Sequence, residues 1–389
     1  MTTKSITVLG AGVIGLNTAI LLRAAGFEVT IVSRCTPEHP ELDPLYTSPK
    51  AAAHWLTFAD NDDVRLQRWD TVGFRMLYEL GAIQGTGVAK QNAFVVGEKK
   101  KEGEEVPWWA EIVPDFRPMH PHELPRPLTH GYSFHGISID LPVYLSFLLR
   151  TFRRMGGHVV VADVKHIDEV CDGRIGGREG KRPDVVVNCA GMGALTLGGV
   201  KDTKVFPTRG QTVIVRAPGY TQQWSRHDQV CYIVPRMDGT GTVCLGGTRQ
   251  ADEWALEPDM ETAEDIVRRC LLLAPELRRD HWGGEPSPSS SSTSKTPSLD
   301  SVDVISHAVG LRPSRIGGPL VGAPSRHHTG TLLVHNYGHA GYGYQAGWGC
   351  AAEVVGVVVR ELSGAVFGGV EEVEVQVQMR VGGSVRVKL

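Results

Sequence analysis

The chain has 389 residues, enough for two domains or one large one and for a sizeable core around a cofactor. Its net charge of −3 gives no electrostatic reason to expect nucleic acid or an acidic membrane surface as partner, and 41% hydrophobic with 21% charged residues excludes wholesale disorder. The longest strongly apolar run, Leu141 to Leu149, falls far short of the ~20 residues that span a bilayer.

Ser5-Ile6-Thr7-Val8-Leu9 opens the chain as a short apolar run suited to a buried parallel strand, with no secretory apolar region ahead of it. Gly10-Ala11-Gly12-Val13-Ile14-Gly15 follows, and Leu16, Ala19, Ile20, Leu21 and Leu22 line a helix to about Ala25. Gly26 is placed to end that helix, and Phe27 to Val32 forms the second strand. A GxGxxG turn in this β-α-β setting predicts dinucleotide binding. Gly10 permits the tight turn, Gly12 the approach of a pyrophosphate, and Gly15 close helix–strand packing, while the helix N-terminus attracts the phosphate charge. Where an acidic residue often follows the second strand there is Ser33-Arg34, and Arg34 suits either a 2′-phosphate in NADP or a place beside adenine in FAD.

A second α/β stretch runs from Gly131 to Cys189. Asp140 and Pro142 predict the start of a helix reaching about Met155, and His158–Ala162 and Asp184–Asn188 read as β-branched strands. From Thr203 to Gly247 strand signals separated by turns predict an antiparallel sheet. A helix is expected over Asp259 to Leu273, and the Pro/Ser/Gly-rich residues 283–298 read as a flexible loop. Strands at Asp303–Val309 and Thr331–His335 come next, then a glycine-rich turn and a helix from about Gln345 to Leu362; Val370 to Leu389 alternates like a strand. The seven cysteines are scattered without CxxC pairs and read as reduced thiols of an intracellular protein. His120-x-His122 and His327-His328 lie in loop-like sequence without a third ligand, so no metal site is expected.

Several further segments carry a resemblance. They are His335-Asn336-Tyr337-Gly338-His339-Ala340-Gly341-Tyr342-Gly343-Tyr344-Gln345, Val309-Gly310-Leu311-Arg312-Pro313, Cys231-Tyr232-Ile233-Val234-Pro235 and Leu245-Gly246-Gly247-Thr248-Arg249. With Thr47 to Ala53, Asn188 to Gly191 and Arg209-Gly210-Gln211, they make residues 5 to 362 resemble the FAD-dependent D-amino-acid oxidase and D-aspartate oxidase family. The resemblance implies an α/β protein in which a Rossmann-like FAD-binding domain is interleaved with an α+β substrate domain built on an antiparallel sheet. The expected segments are 1–50, 140–200 and 300–365 for the first, 51–139 and 201–299 for the second, and 366–389 as a tail. It implies non-covalent FAD and oxidative deamination of a D-amino acid to an oxo acid, ammonia and H2O2, with no side chain required as acid or base.

By the same resemblance Arg312 clamps the substrate α-carboxylate, a task suited to a guanidinium fork, and the Tyr232 hydroxyl helps hold it. The implied cofactor residues are Gly10, Ala11, Gly12, Val13, Ile14, Gly15, Ser33, Arg34, Thr47, Ser48, Ala51, Ala52, Val164, Cys189, Ala190, Gly191, Arg312, Gly338, His339, Ala340, Gly341, Tyr342, Gly343, Tyr344 and Gln345. Ala52 and Ala340 stand where glycine is usual, each adding a methyl near the expected flavin ring. Arg249 matches a side-chain-binding arginine of the acidic-substrate branch, and Arg226, in the Pro218 to Val230 segment matching the active-site lid, lies close to another. Glu105 to Ala110 also looks like that branch. D-aspartate is therefore favoured over neutral D-amino acids, since a second carboxylate leaving water needs a cation.

Rival readings are a glycine or sarcosine oxidase type of flavoenzyme, an NADP-dependent dehydrogenase supported by Arg34 alone, and a flavin-binding module without turnover. The expected partners are a small D-amino acid and O2, with neither nucleic acid nor membrane; homo-oligomerisation is left open. Val387-Lys388-Leu389 resembles the C-terminal peroxisomal address with valine in place of the usual small residue, so a peroxisomal location is favoured over the cytoplasm.

Overall fold

In the computed structural model the described residues are 4–39, 43–99, 106–178, 180–282 and 297–363, with the backbone alone of 374–380 and 383–388. Along the chain the strands are β1 Ser5–Leu9, β2 Glu28–Ser33, β3 Val88–Gly97, β4 Arg117–Pro118, β5 His130–Ile139, β6 His158–Val161, β7 Val185–Asn188, β8 Val205–Arg216, β9 Gln223–Arg226, β10 Tyr232–Pro235, β11 Thr242–Gly246, β12 Gln250–Ala251, β13 Asp303–Arg315, β14 Leu320–Arg326 and β15 Leu332–Tyr337. The helices are α1 Val13–Ala24, α2 Val64–Leu80, α3 Leu141–Arg154, α4 Asp168–Cys171, α5 Met260–Leu273 and α6 Gly343–Ser363.

Continuous β-branched runs such as Val185-Val186-Val187 have no side free for water, so they form the centre of a sheet covered on both faces. That sheet has the order β14-β15-β7-β1-β2-β6 and is parallel except for β14. Val185 and Val187 join the core that also holds residues of α1, α2, α3 and α6, whereas Val186 faces Ile167, Val170 and Leu197 on the other side. Helix starts follow the expected chemistry: Asp140 caps α3 by accepting from Val143 N at 3.3 Å, and Asp259 caps α5 through Thr262 N at 2.7 Å. Caps of this kind contribute about 1 kcal/mol each.

The second sheet runs β12-β8-β11-β10-β9-β3-β5-β4, with β13 on the other side of β8. It is antiparallel apart from the β3–β9 pair. The helix α5 covers it, burying Ile266, Val267 and Cys270 against Val213, Val215, Ile233 and Leu245. One expected boundary moves: residues 303–315 pair along their whole length with β8 and so lie in the antiparallel sheet, not in the 300–365 segment of the parallel one.

A helix absent from the sequence reading is α2. Asp63 Oδ1 accepts from Leu66 N at 3.0 Å, and Leu66, Trp69, Gly73, Leu77 and Leu80 form its buried stripe. Gly73 marks the crossing with α6, where a Cβ would lie 1.6 Å from Gln345 O. Although α2 lies within 51–139, it packs with α1 and α6 in one core. Residues 283–296 of the expected loop, Glu105, residues 366–373 and Leu389 lie outside the described residues. Glu374–Arg380 and Gly383–Lys388 pair with each other as an antiparallel hairpin.

Candidate active site

The parallel strands β1, β2, β6, β7 and β15 all end at one side of their sheet, and a cavity of about 980 Å³ opens there toward the antiparallel sheet. Ligands of open α/β sheets bind at this carboxyl edge. The volume is at the upper end of what small-molecule sites use, roughly 300–1,000 Å³.

The backbone turn from β1 into α1 could not be built from other residues. Gly10 has φ +112°, and a Cβ on it would lie 2.5 Å from Cys189 O; a Cβ on Gly15 would lie 2.0 Å from Gly10 O. Gly12 caps α1 without a side-chain bond, and the first turn of α1 contains no acidic residue. No acidic side chain of this first turn offsets the positive end of the helix dipole. Ser33 and Ser48 orient the turn by accepting from Ala11 N at 3.2 Å and Val13 N at 3.0 Å. Tyr46 donates to Ala11 O at 2.7 Å, and Tyr344 donates to Ser48 O at 2.8 Å.

Other features of this end fit a flavin dinucleotide rather than NADP. Arg34 pairs with Asp43 at 2.6 Å, so its charge is already matched and it offers no open cation to a 2′-phosphate. Asn336 and His339 line the cavity, and Asn336 Oδ1 and His339 Nε2 are buried without hydrogen-bond partners among the described residues, as expected where a polar ligand completes the site. Burial pushes the His339 imidazole down to about 3, which keeps it neutral. Ala52 packs beside Ile214, Val234 and Cys244 at the cavity wall, so its extra methyl has a place.

Ala340 is different. Its φ is +47°, with its N–H donating to Pro313 O at 2.9 Å. An L-residue held in the left-handed region costs about 1–2 kcal/mol, partly offset because glycine loses about 0.4–1 kcal/mol more on folding. Ala340→Gly is expected to raise stability by roughly 0.5–1 kcal/mol, read as a small rise in the melting temperature of the holoprotein. A fall would mean that the turn is unstrained and that the methyl contributes packing.

The far end of the cavity is built by the antiparallel sheet. Tyr232 opens β10, Arg312 lies in β13, and Arg249 follows β11. Arg312 Nη1 donates to Thr248 O at 2.9 Å, and Gly210 on the adjacent β8 clears room for the guanidinium, since a Cβ there would lie 2.3 Å from Nη1. Burial pushes the Tyr232 phenol up to about 12, with the nearby Arg312 charge pulling the other way. Arg249 stands over the Phe58 ring, 5.0 Å from Cζ to the ring centroid. Burial and then the Arg312 charge lower its pKa. Among the described residues no carboxylate pairs with either guanidinium.

Every expected site residue lines the cavity except Gly15 and Tyr342. Gly15 acts beneath it, as the contact point between α1 and the first turn. Arg226 reaches the wall but is closed off: it lies in β9, and its guanidinium meets both Asp228 oxygens at 2.7 and 2.6 Å and Glu98 at 3.1 Å. The Pro218 to Val230 segment thus contains a strand of the sheet interior rather than a free flap. Asp43, Tyr46, His54 and Phe58 line the cavity without having been expected. Of these, His54 is half-buried and lies beside Ser225 Oγ at 3.1 Å, and desolvation lowers its pKa to about 4. Its position directly after Ala51-Ala52-Ala53 was the one signal available in the sequence.

Comparison with known proteins agrees with this geometry. A D-amino-acid oxidase from Rubrobacter xylanophilus is 35% identical over 92% of this chain and 96% of its own. A D-aspartate oxidase from Cryptococcus neoformans var. grubii is 34% identical over 90% of this chain and 96% of its own. Among solved structures, glycine oxidase from Geobacillus kaustophilus shares the fold with a TM-score of 0.67 at 18% identity, over 92% of this chain and 95% of its own. Residues 5–356 match the FAD dependent oxidoreductase family, and with the glycine turn, the cavity and the open helix end at its rim, the chain belongs to that family and depends on FAD.

Proposed function

We propose that the protein oxidatively deaminates D-amino acids, with D-aspartate as its preferred substrate. The observation that carries the acidic preference is the pair of guanidiniums, Arg249 and Arg312, facing one end of the cavity without a carboxylate partner among the described residues. A substrate with two carboxylates meets both; a neutral amino acid leaves one cation unmatched in a partly desolvated place. The likeness to enzymes named D-amino-acid oxidase and D-aspartate oxidase supports the reaction class.

The chemistry that FAD supplies when bound is acceptance of the substrate α-hydrogen as hydride and reoxidation by O2 to give H2O2. The chain's own residues bind and orient. Arg312 holds the α-carboxylate with the Tyr232 hydroxyl beside it, and Arg249 holds the side-chain carboxylate against Phe58. Neutral His54, fixed by Ser225, excludes water without adding a third positive charge. The imino acid then hydrolyses to the oxo acid and ammonia.

The decisive measurement is peroxide release by the purified yellow protein with D-aspartate, D-alanine, L-aspartate and glycine. D-Aspartate is expected to give the highest kcat/KM. Faster turnover of D-alanine would end the acidic reading, and turnover of glycine alone would transfer the protein to the glycine oxidase type. Arg312→Lys is expected to lower kcat/KM more than tenfold for every D-amino acid with the flavin spectrum unchanged, because losing the fork costs about 1.5–3 kcal/mol. Near-normal kinetics would remove Arg312 from the site.

A further inference from the structure

We propose a divalent transition-metal site, of the zinc class, formed by Asp168, His327 and His328 on the outer side of the parallel sheet. On sequence alone the His327-His328 pair has no third ligand; the fold supplies one from about 160 positions away. Asp168 opens α4, and the two histidines sit in the turn between β14 and β15. One ligand atom from each of the three residues lies within 4.8 Å of the others. That is the separation from which small side-chain rotations close three corners of a tetrahedron, with water as the fourth ligand.

The local arrangement is organised around the carboxylate. His327 Nε2 lies 2.9 Å from Asp168 Oδ1, while its Nδ1 is engaged by Thr329 Oγ1 at 2.8 Å. The hydroxyl fixes the ring plane and aims the other nitrogen at the carboxylate, which is how outer-shell partners orient a ligating imidazole. The His328 ring lies 4.0 Å from that of His327, centroid to centroid. On the opposite flank His166 Nδ1 approaches the same Asp168 oxygen at 3.1 Å. Imidazole nitrogen with a single carboxylate selects Zn2+, Cu2+ or Ni2+ over Mg2+ and Ca2+, which want oxygen ligands.

The position gives such an ion something to hold together. Val164 and Lys165, just ahead of His166, line the cofactor cavity, and Ile167 N donates to Gly198 O at 2.8 Å. An ion here would tie the β14–β15 turn to the segment that closes one end of the cavity.

The test is zinc chloride titrated into untagged holoenzyme, with bound metal counted by competition against a chromogenic chelator and magnesium chloride as the comparison cation. One equivalent of zinc per chain is expected, with a melting temperature raised by a few degrees at a hundredfold excess over Kd. Asp168→Asn, His327→Gln and His328→Ala should each weaken binding at least about tenfold and remove the rise. His328 is exposed, so its variant tests the site without disturbing the core. The double variant His120→Gln/His122→Gln removes another close histidine pair, whose rings stack 5.5 Å apart, and should bind as wild type does. With Cu2+ as probe, electron paramagnetic resonance should show imidazole nitrogen coupling that disappears in His328→Ala. Wild-type affinity in both Asp168→Asn and His328→Ala, binding that follows His120 and His122, or no stoichiometric binding would each overturn the proposal.

Discussion

Replacing Arg249 by alanine is expected to lower kcat/KM for D-aspartate at least about thirtyfold while changing it little for D-alanine. The guanidinium stands over Phe58 and is pressed by the charge of Arg312, with no carboxylate to relieve it among the described residues. A dicarboxylic substrate supplies that relief. Without Arg249 its second carboxylate is left against an aromatic wall, and losing one partner of a close charge pair costs about 2–5 kcal/mol. D-Alanine makes no such contact and keeps the Arg312 clamp. Steady-state peroxide release with both substrates reads the difference directly. Stability should not fall, because a repulsion is removed along with the side chain. Equal loss with both substrates would make Arg249 a structural residue and leave the acidic preference unsupported.

The second large effect concerns Asp70. This α2 residue is fully buried, and its carboxyl is pushed from 3.8 up to about 7, chiefly by desolvation. Bonds from Thr57 Oγ1 at 2.6 Å and Gln345 Nε2 at 3.3 Å oppose that rise, and Oδ1 has no partner among the described residues. In the unfolded chain the proton leaves near pH 3.8, whereas the folded protein keeps it to about pH 7. The folded state therefore binds the extra proton through this window, and stability falls as pH rises across it, by an amount on the order of 4 kcal/mol. Asp70→Asn removes the titration and keeps the shape. Chemical denaturation at pH 5 and pH 8 should show the variant gaining at pH 8 and losing this part of the pH slope. An unchanged slope would mean that Asp70 is ionised in the folded protein. Thr57 and Gln345 both line the cavity, so flavin retention should be followed in the same samples.

Some of this was open to reading because local rules and tertiary structure agree. The stretch from Ser5 to Ser33 carries its own strand, turn, helix and strand, and nothing distant overrides it. The turn from His335 to Gln345 was legible through its resemblance to a known family. Where tertiary contacts decide, reading failed. Asp70 and Gly73 break the apolar stripe of α2, yet one is buried as an acid beside the cavity and the other is the crossing point with α6. The strand β13 runs on through Pro313, which a sequence rule counts as a stop, because the opposite residue on β8 is Pro207 and neither requires a ladder bond there. Arg226 looked available because Glu98, one of the acids that neutralise it, lies far off in sequence, just past the end of β3. Distance along the chain likewise hid Asp168, the third ligand beside His327.

The order of strands in the two sheets also bears on how the protein is made. The edge of β7 is covered by β15 and that of β8 by β13, both drawn from the last quarter of the chain. During synthesis from the N-terminus, β7 and β8 emerge long before their neighbours and present unpaired ladders and apolar faces until residues 303–337 have left the ribosome. Neither sheet can finish alone, and α6, which completes the core shared by α1 and α2, comes later still. Folding is thus expected to be late and nearly all at once, with a nascent chain that relies on holdases and on slow translation more than a chain of separable domains would.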